Sequence, residues 1–287
     1  MIVDQFLDRP VQDDGPLVVF PISYEKTTSY LQGTAAAPQA ILDASGQVEF
    51  YDHGFGGEIC DVGIRTLPVL DCADLSQGEA FDRIRQTAGE VLSAGKCLVS
   101  VGGEHTVTIP LVDAAVQEFG RIGVVQFDAH FDFREAYLGD RYSHACVMRR
   151  CHEFGVVPLS VGVRSFCRDE LDFVTNQSIA YMTGDDVYRT PELLSLLLNQ
   201  LPEIVYMTVD FDFFAPSEFS VGTPVPGGPL WYPGVEMIRA VCESRRVVGM
   251  DFVELCPNGD QASAFSAASL VYQAMGLARL NGRSSSD

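Results

Sequence analysis

Histidine and aspartate residues recur at short, regular intervals in three stretches of the chain. These stretches read Gly-Gly-Glu-His at 102–105, Asp-Ala-His-Phe-Asp at 128–132 and Asp-Phe-Asp at 210–212. Imidazole nitrogens and carboxylate oxygens are side-chain ligands that divalent cations such as Mn²⁺ accept. The pattern predicts a metal site, whose six candidate ligands are His105, Asp128, His130, Asp132, Asp210 and Asp212.

The number and charge of these ligands predict two ions. The aspartates outnumber the histidines, and ionised carboxylates are costly to bury unless they are paired or bind a metal. So many protein ligands are also too many for one catalytic ion that keeps an open position, whereas two ions fit them when carboxylates bridge. Carboxylates with a minority of imidazole and no thiolate favour Mn²⁺ over zinc. We therefore expect two Mn²⁺ per chain, although other divalent ions can bind such a set.

Each ligand stretch follows a short apolar run of the kind that forms a buried β-strand. Strands are predicted at 17–20, 59–63, 96–101, 122–127, 156–161, 178–181, 204–209 and 247–250. Helices are predicted at 78–94, 107–119, 191–200, 232–242 and 262–280. Strands that are apolar on both faces and alternate with helices indicate a mostly parallel sheet covered on both sides. We expect an α/β fold, a three-layer α/β/α sandwich with about eight strands, in a single domain spanning 1–287 whose last residues, about 281–287, form a frayed tail.

The candidate ligands are expected to meet at one edge of this sheet. Ligands of open parallel sheets bind outside the carboxyl ends of the strands, where all three stretches stand, as does Glu254 after the run at 247–250. In an extended chain, alternate residues point to the same side. The ligands within each stretch should therefore project together, while Ala129, Phe131 and Phe211 face the other way into apolar surroundings.

The amino-acid composition limits the binding partners and the cellular location that we expect. Hydrophobic residues make up 47% of the 287 residues and charged residues 20%, as in a globular protein with a large core. The net charge of −20 repels phosphate backbones, which argues against nucleic-acid binding, and attracts metals, amines and guanidinium compounds. No apolar run approaches the ~18 residues of a membrane span. The start lacks a signal-peptide pattern, and the eight cysteines include no Cys-x-x-Cys pair, so we expect a cytoplasmic protein with reduced thiols.

In this order, the motifs resemble those of the ureohydrolase family of arginases and agmatinases, over about residues 29–277. The first resembles the family's Gly-Gly-Asp-His, the second its Asp-Ala-His-x-Asp, and Thr-Val-Asp-Phe-Asp at 208–212 its Ser-x-Asp-x-Asp. The resemblance implies an arginase-like fold. It also implies that Asp128 and Asp210 bridge two ions, the first held by His105, Asp128, Asp132 and Asp210 and the second by Asp128, His130, Asp210 and Asp212.

Three further segments, at 142–150, 222–228 and 252–257, are similar to agmatinase segments. Gly-Val-Arg at 162–164 also echoes a Gly-x-Arg turn of the family. The sequence departs from the family pattern at Phe-Phe-Ala-Pro, 213–216, where Asp-Pro is usual, and it has Glu104 for an aspartate and Ala145 for a glycine. The missing aspartate is no metal ligand in the family, so its loss concerns loop geometry or substrate contacts.

The resemblance implies hydrolysis of a guanidino compound to urea and an amine. Metal coordination lowers the pKa of water enough to supply hydroxide. Asp132 would take the proton of that hydroxide and pass it to the leaving amine. Glu254 would bind and orient the guanidinium group through a charge-assisted hydrogen bond. His144 is the candidate proton shuttle to solvent and a further contact to the substrate.

Several substrates remain open at this point. Agmatine, which would give putrescine and so serve polyamine biosynthesis, ranks first because it carries no carboxylate, and aminopropylagmatine ranks second. Amino-acid and carboxylate compounds (arginine, formiminoglutamate and guanidinobutyrate) rank third. For these, Arg134 could pair with a carboxylate, although it could instead pair with Glu135 or a neighbouring subunit. The resemblance also suggests a homotrimer or homohexamer.

Two hypotheses of other classes also remain. The segment at 213–216 would suit a catalytically weak protein that binds amines and regulates a partner. A single zinc ion, as in the related deacetylases, would suit the fold, but His105 and the paired Asp210 and Asp212 argue for a second ion. Metal analysis separates the three: two manganese ions per chain for the hydrolase, one zinc for the deacetylase and none for the regulator.

Overall fold

The computed structural model describes residues 5–8 and 14–280. The tail predicted to fray at 281–287 therefore lies outside the described residues. None of the helices in these two ranges is long and apolar enough to cross a membrane. All eight cysteines lie within them and have free thiols.

The described strands are β1 (Leu17–Ser23), β2 (Tyr51–Asp52), β3 (Gly57–Glu58), β4 (Ile64–Thr66), β5 (Leu70–Asp71), β6 (Cys97–Val101), β7 (Gly123–Phe127), β8 (Val157–Val163), β9 (Ala180–Thr183), β10 (Ile204–Asp210) and β11 (Arg246–Val253). Nine of these described strands form one sheet in the order β4-β1-β6-β11-β10-β7-β8-β9, with β5 paired to β1. All pairs in this sheet are parallel, whereas β2 and β3 form a small antiparallel hairpin.

The described helices are α1 (Ala37–Ser45), α2 (Gln77–Ser93), α3 (Thr108–Phe119), α4 (Val147–Glu153), α5 (Arg168–Asn176), α6 (Gly184–Arg189), α7 (Leu193–Leu198), α8 (Trp231–Ser244) and α9 (Gln261–Leu280). They divide between the two faces of the sheet. Residues of α1, α7, α8 and α9 share one core cluster, and residues of α2, α3, α4 and α5 share the other. On β6, Val99 contributes to the first cluster and Leu98 to the second, because successive strand residues point to opposite faces. The predicted three-layer α/β/α sandwich is confirmed.

The strand predicted at 59–63 is wrong. Residues Ile59–Val62 form a 3₁₀-helix, in which the Gly63 N–H donates to the Cys60 carbonyl. Gly63 has a φ of 99°, a conformation that glycine adopts readily, and the chain becomes extended only beyond it, in β4. The sheet has nine strands rather than about eight because β5 also pairs with β1. The predicted helix at 191–200 shortens to α7, and the strand predicted at 178–181 begins at Ala180.

Candidate metal centre

The carboxyl ends of four neighbouring strands, β6, β11, β10 and β7, place the candidate residues at one edge of the sheet. The turn after β6 depends on a close backbone approach. A Cβ at Gly103 would lie 2.1 Å from the Tyr24 carbonyl oxygen, so no larger residue fits there. The next residue, Glu104, donates its N–H to the same carbonyl, and His105 then begins a 3₁₀-helix, His105–Val107, with its side chain buried.

One group of ligand atoms surrounds His105 Nδ1. This nitrogen lies 3.2 Å from Oδ2 of Asp128, 3.0 Å from Oδ2 of Asp132 and 3.6 Å from Oδ2 of Asp210. It is buried and makes no well-formed hydrogen bond to any side chain or backbone group within the described ranges. An ion with octahedral ligands at about 2.1 Å holds neighbouring ligands about 3 Å apart. These residues therefore fit a divalent cation better than they fit one another.

A second group surrounds His130, and Asp128 belongs to both groups. His130 Nδ1 lies 3.4 Å from Oδ1 of Asp128 and 3.0 Å from Oδ2 of Asp212. The two oxygens of Asp128 thus face different histidines, an arrangement that suits a carboxylate between two ions. Asp210 directs Oδ2 toward His105, and its Oδ1 accepts the Asp212 N–H at 2.7 Å. The structure brings all six predicted ligands together, with two potential metal groups that share Asp128.

The backbone of the ligand stretches differs in part from the extended strand ends that the sequence predicted. Strand β7 ends at Phe127, before its ligands, and Asp212 lies in a 3₁₀-helix, Phe211–Phe213. Asp132 has a φ of 54° and Glu254 a φ of 67°, in the left-handed region that costs energy for residues other than glycine. The ligands therefore converge through tight turns rather than through an extended strand. Residues Ala129, Phe131 and Phe211 are buried, as expected.

A row of buried polar residues crosses the sheet directly below the ligands, and sequence reasoning missed it. The register of the strands aligns its members side by side: Ser100, Asp251, Thr208, Gln126 and Ser160. Each interrupts an otherwise apolar strand, and Thr208 and Gln126 stand two residues before a ligand, which is the signal that could have revealed them.

This polar row orients two of the ligands. Thr208 Oγ1 donates to Asp251 Oδ1 at 2.6 Å and lies 2.9 Å from His105 Nε2. Because the hydroxyl hydrogen is already used, Nε2 must donate to Thr208, which leaves the lone pair on Nδ1 for a metal. Gln126 Nε2 donates to Asp128 Oδ2 at 2.8 Å, and Gln126 Oε1 accepts from the Ser160 hydroxyl at 2.7 Å.

Burial and neighbouring charges shift the pKa values of several side chains in the site. Burial raises the pKa of Asp132 to about 7 and that of Glu254 to about 8, because a carboxylate is poorly solvated there. Burial and the neighbouring Asp212 hold the pKa of Asp210 well above its ordinary value. Burial lowers the pKa of His130, but the adjacent carboxylates outweigh it and raise that pKa to about 12. The cluster therefore holds protons that a divalent cation can replace.

A pocket of about 260 Å³ opens above these ligands. Glu254 lines it, and its Oε1 accepts the His105 N–H at 2.7 Å, so the carboxylate is fixed next to the first metal group. His144 lines it too, at the start of a short 3₁₀-helix, His144–Cys146, whose N-terminus is capped by Ser143. Burial lowers the pKa of His144, which favours the neutral imidazole. Thr223 is a lining residue that the sequence did not reveal, and its hydroxyl lies 3.4 Å from Asp212.

The segment at 213–216, which departs from the family pattern, contributes to the core rather than to the pocket. The Phe213 ring packs at 5.1 Å against both Phe127 and Phe214, and neither Phe213 nor Phe214 lines the pocket. Arg164 donates to the carbonyls of Phe213 and Phe214 and fixes the loop. Aromatic packing and hydrogen bonds to the backbone thus hold this segment in place.

Arg134 lines the pocket but does not pair with Glu135, which was one of its expected partners. Its Nε lies 3.6 Å from Oε2 of the buried Glu170, and its guanidinium lies 4.9 Å from the centre of the Tyr137 ring. Glu135 instead contacts other arginines, Arg141, Arg149 and Arg150.

Comparison with known proteins agrees with this geometry. The model of the Arginase family matches residues 16–276. The chain is 38% identical over 272 residues to N(1)-aminopropylagmatine ureohydrolase of Thermus thermophilus, covering 94% of this chain and 92% of that enzyme. It is 30% identical to agmatinase of Pyrococcus horikoshii, covering 94% and 95% of the two chains.

A solved structure shows the same architecture. The agmatine ureohydrolase of Thermoplasma volcanium superimposes with a TM-score of 0.83 at 28% identity, over 94% of this chain and 92% of that one. The family match spans most of the chain, and the fold carries the acidic ligand cluster at the expected edge of the sheet. The chain therefore belongs to the arginase family and is a hydrolase of guanidino or amidine compounds.

Proposed function

We propose that this chain hydrolyses agmatine or N(1)-aminopropylagmatine to urea and the corresponding amine. The observation that carries the proposal is the pair of ligand groups that share Asp128, with Glu254 fixed 2.7 Å from the His105 N–H beside them. Agmatine is the substrate that the motifs favour. The aminopropyl compound is favoured by the higher identity to the Thermus thermophilus enzyme.

Two Mn²⁺ ions would be held by the six ligands, His105, Asp128, His130, Asp132, Asp210 and Asp212. When bound, such ions supply hydroxide at neutral pH, which an unreactive guanidinium carbon requires. The position of His105 Nδ1 among three carboxylate oxygens and the acidic character of the set support this metal, since carboxylate-rich sites suit Mn²⁺.

Three side chains of the site bind the substrate and transfer protons. Glu254 accepts charge-assisted hydrogen bonds from the guanidinium and holds its carbon in position for attack. Asp132 takes a proton and delivers it to the leaving nitrogen, so that a neutral amine departs. His144, on the pocket wall, exchanges protons between the site and solvent.

The pocket charges support an amine substrate over an amino acid. Arg134 is the cation on the wall that could bind a substrate carboxylate, but Glu170 and the Tyr137 ring already hold it. A carboxylate would have to compete with a buried partner for that guanidinium. The net charge of −20 also concentrates cations at the surface, which favours a substrate with two positive ends.

The cellular setting follows as part of the same proposal. Putrescine or its aminopropyl derivative as product assigns the enzyme to polyamine biosynthesis. A cytoplasmic location and a homotrimeric or homohexameric assembly are consistent with the likeness to agmatinases. The partner is a small cationic guanidino compound, with no role for nucleic acid or a membrane.

A urea-release screen on Mn²⁺-loaded protein tests the proposal. The panel contains agmatine, aminopropylagmatine, arginine, guanidinobutyrate and guanidine, with formiminoglutamate followed by formamide release. We expect the first two to give the highest kcat/KM, in a protein with two manganese ions per chain. Absence of urea from every guanidino compound, or a content of one zinc ion or no metal, would instead support the deacetylase or the regulator.

A further inference from the structure

Thr27 makes two contacts with His144 and two with Glu104. It lies in the loop between β1 and α1, far from either partner in sequence. The Thr27 hydroxyl donates to Glu104 Oε1 at 2.7 Å and accepts the His144 backbone N–H at 3.0 Å. The same oxygen lies 3.1 Å from His144 Nδ1. The three side chains thus form one continuous chain of hydrogen bonds, which ends at a wall of the substrate pocket.

The direction of these bonds follows from counting hydrogens. Glu104 is fully buried, and donors surround both of its oxygens: the N–H groups of Lys26 and Thr27, and the hydroxyls of Thr27 and Thr106. A proton on this carboxyl group would displace one of them, so Glu104 accepts throughout. The single hydroxyl hydrogen of Thr27 is therefore committed to Glu104. What remains at that oxygen is two lone pairs, one of which receives the His144 backbone N–H.

The other lone pair must face a hydrogen on His144 Nδ1. Ser143 Oγ, at 3.3 Å from Nδ1, is a weaker second contact of the same nitrogen. In a neutral imidazole, a hydrogen on Nδ1 leaves Nε2 without one. Nε2 is the ring nitrogen on the side of Ser29, another residue that lines the pocket, with Ser29 Oγ at 3.4 Å.

We propose that Thr27 is a positioning residue that sets the tautomer of His144 and presents its Nε2 to the pocket as the proton acceptor. The proposal rests on the shuttle role of His144 given above. Nε2 takes a proton from the site, the ring becomes an imidazolium, and the same nitrogen releases the proton to solvent. While the ring is charged, the Nδ1–H hydrogen bond through Thr27 to the Glu104 carboxylate stabilises it, as a carboxylate does when it contacts a histidine directly.

Kinetics of Thr27→Val test the proposal, because valine matches threonine in shape but has no hydroxyl. We expect kcat for urea release to fall about tenfold, a part of what acid–base catalysis contributes, with KM and manganese content nearly unchanged. Thr27→Ser should restore most of the rate. Thr28→Val is the matched control, since the Thr28 hydroxyl donates to Glu25 rather than to Glu104 or His144.

A double-mutant cycle separates positioning from a structural effect. If Thr27 acts through His144, Thr27→Val should add little to His144→Ala, so the double variant and His144→Ala should have similar kcat. Additive losses, or a Thr27→Val enzyme as fast as the parent while His144→Ala is slow, would overturn the proposal and leave the proposed function standing. A His144→Ala enzyme with the full rate would overturn both the shuttle role and this inference.

The tautomer of His144 can also be measured without substrate turnover, so the inference can be tested even if no substrate is cleaved. In ¹⁵N-histidine-labelled protein loaded with diamagnetic Zn²⁺, the His144 signals are those missing from His144→Ala. We expect a protonated Nδ1 and an unprotonated Nε2, with loss of this preference in Thr27→Val and its retention in Thr28→Val. The opposite tautomer in the parent protein would contradict the inference directly.

Discussion

The two oxygens of Asp128 lie near different histidines. One oxygen lies 3.2 Å from Nδ1 of His105 and the other 3.4 Å from Nδ1 of His130. Gln126 donates to the first oxygen and the His130 backbone N–H to the second, so the carboxylate is held between the two groups. We therefore expect a change at this position to affect both of the proposed ions.

Replacing a bridging aspartate should therefore remove both ions rather than one. We expect Asp128→Ala and Asp210→Ala to abolish detectable urea release and to leave less than about one manganese ion per chain. Metal analysis by mass spectrometry, together with the urea assay, checks this. Asp82→Ala, at an exposed position on α2, is the control and should keep both metal and activity. Two retained ions in either bridging variant would contradict the assignment.

Glu254 should act on the substrate and not on the metal. Glu254→Gln preserves the side-chain oxygen that accepts from the His105 N–H but removes the negative charge. A charge-assisted hydrogen bond exceeds a neutral one by roughly 1 kcal/mol, so we expect KM for agmatine to rise about five- to tenfold. Steady-state kinetics with parallel metal analysis measure this. Unchanged kcat and KM would exclude Glu254 from the site.

At the scale of secondary-structure elements, the strands bring the ligands to one edge of the sheet, and the turns after the strands orient the ligand side chains. The apolar runs before the ligands predicted β6, β7, β10 and β11, and hence the edge of the sheet where the ligands meet. Their side-chain directions could not be read from strand alternation, because Asp132 takes a left-handed conformation and Asp212 lies in a helical turn. Such conformations depend on tertiary contacts that no local pattern encodes.

Side-chain contacts between residues far apart in sequence could not be predicted either. Nothing near Arg134 indicates that Glu170, on α5, is its counter-ion, and nothing near Glu104 indicates that Thr27 accompanies it. Residue type and spacing were the better guide for the six ligands, and the resemblance to agmatinase segments indicated His144 and Glu254. The fold brings all of them to one pocket or its floor. The strand predicted at 59–63 failed because Gly63 ends a helical turn there.

The polar row below the ligands offers a prediction at this scale. Thr208→Val removes the hydroxyl on β10 that accepts from His105 and donates to Asp251 on β11. Loss of such a partner weakens metal binding by about 10–100-fold in comparable sites, and we expect a similar rise in the Kd for Mn²⁺. Competition with a fluorescent chelator measures this.

Two variants complete this experiment. Thr208→Ser should restore affinity because it keeps the hydroxyl. Ser100→Ala removes a hydroxyl of the same row that has no hydrogen-bond partner among the described residues, so it should leave the Kd unchanged. Equal Kd values for Thr208→Val and the parent would exclude Thr208 from orienting His105.

For the whole molecule, the site links stability to pH. Burial holds the pKa of Asp132 at about 7 and that of Glu254 at about 8, and carboxylates hold that of His130 at about 12. In the unfolded chain these groups return to 3.8, 4.5 and 6.5. Between pH 5 and pH 8 the folded, metal-free protein thus binds more protons than the unfolded chain. Through these three groups we expect its free energy of unfolding to fall as pH rises, by up to ~1.4 kcal/mol per pH unit for each excess proton.

Bound metal should reverse this dependence, because divalent ions take the place of those protons and bind more tightly as the ligands deprotonate. We expect the Tm of EDTA-treated protein to drop between pH 5.5 and pH 8, and the gain in Tm on adding Mn²⁺ to increase over the same range. Circular dichroism melts at half-unit steps measure both. Glu254→Gln, which cannot titrate, should make the metal-free slope shallower while leaving the response to Mn²⁺ in place. A metal-free Tm that stays level or rises with pH would show that the cluster does not hold these protons. It would also remove the electrostatic reason for placing cations among these carboxylates.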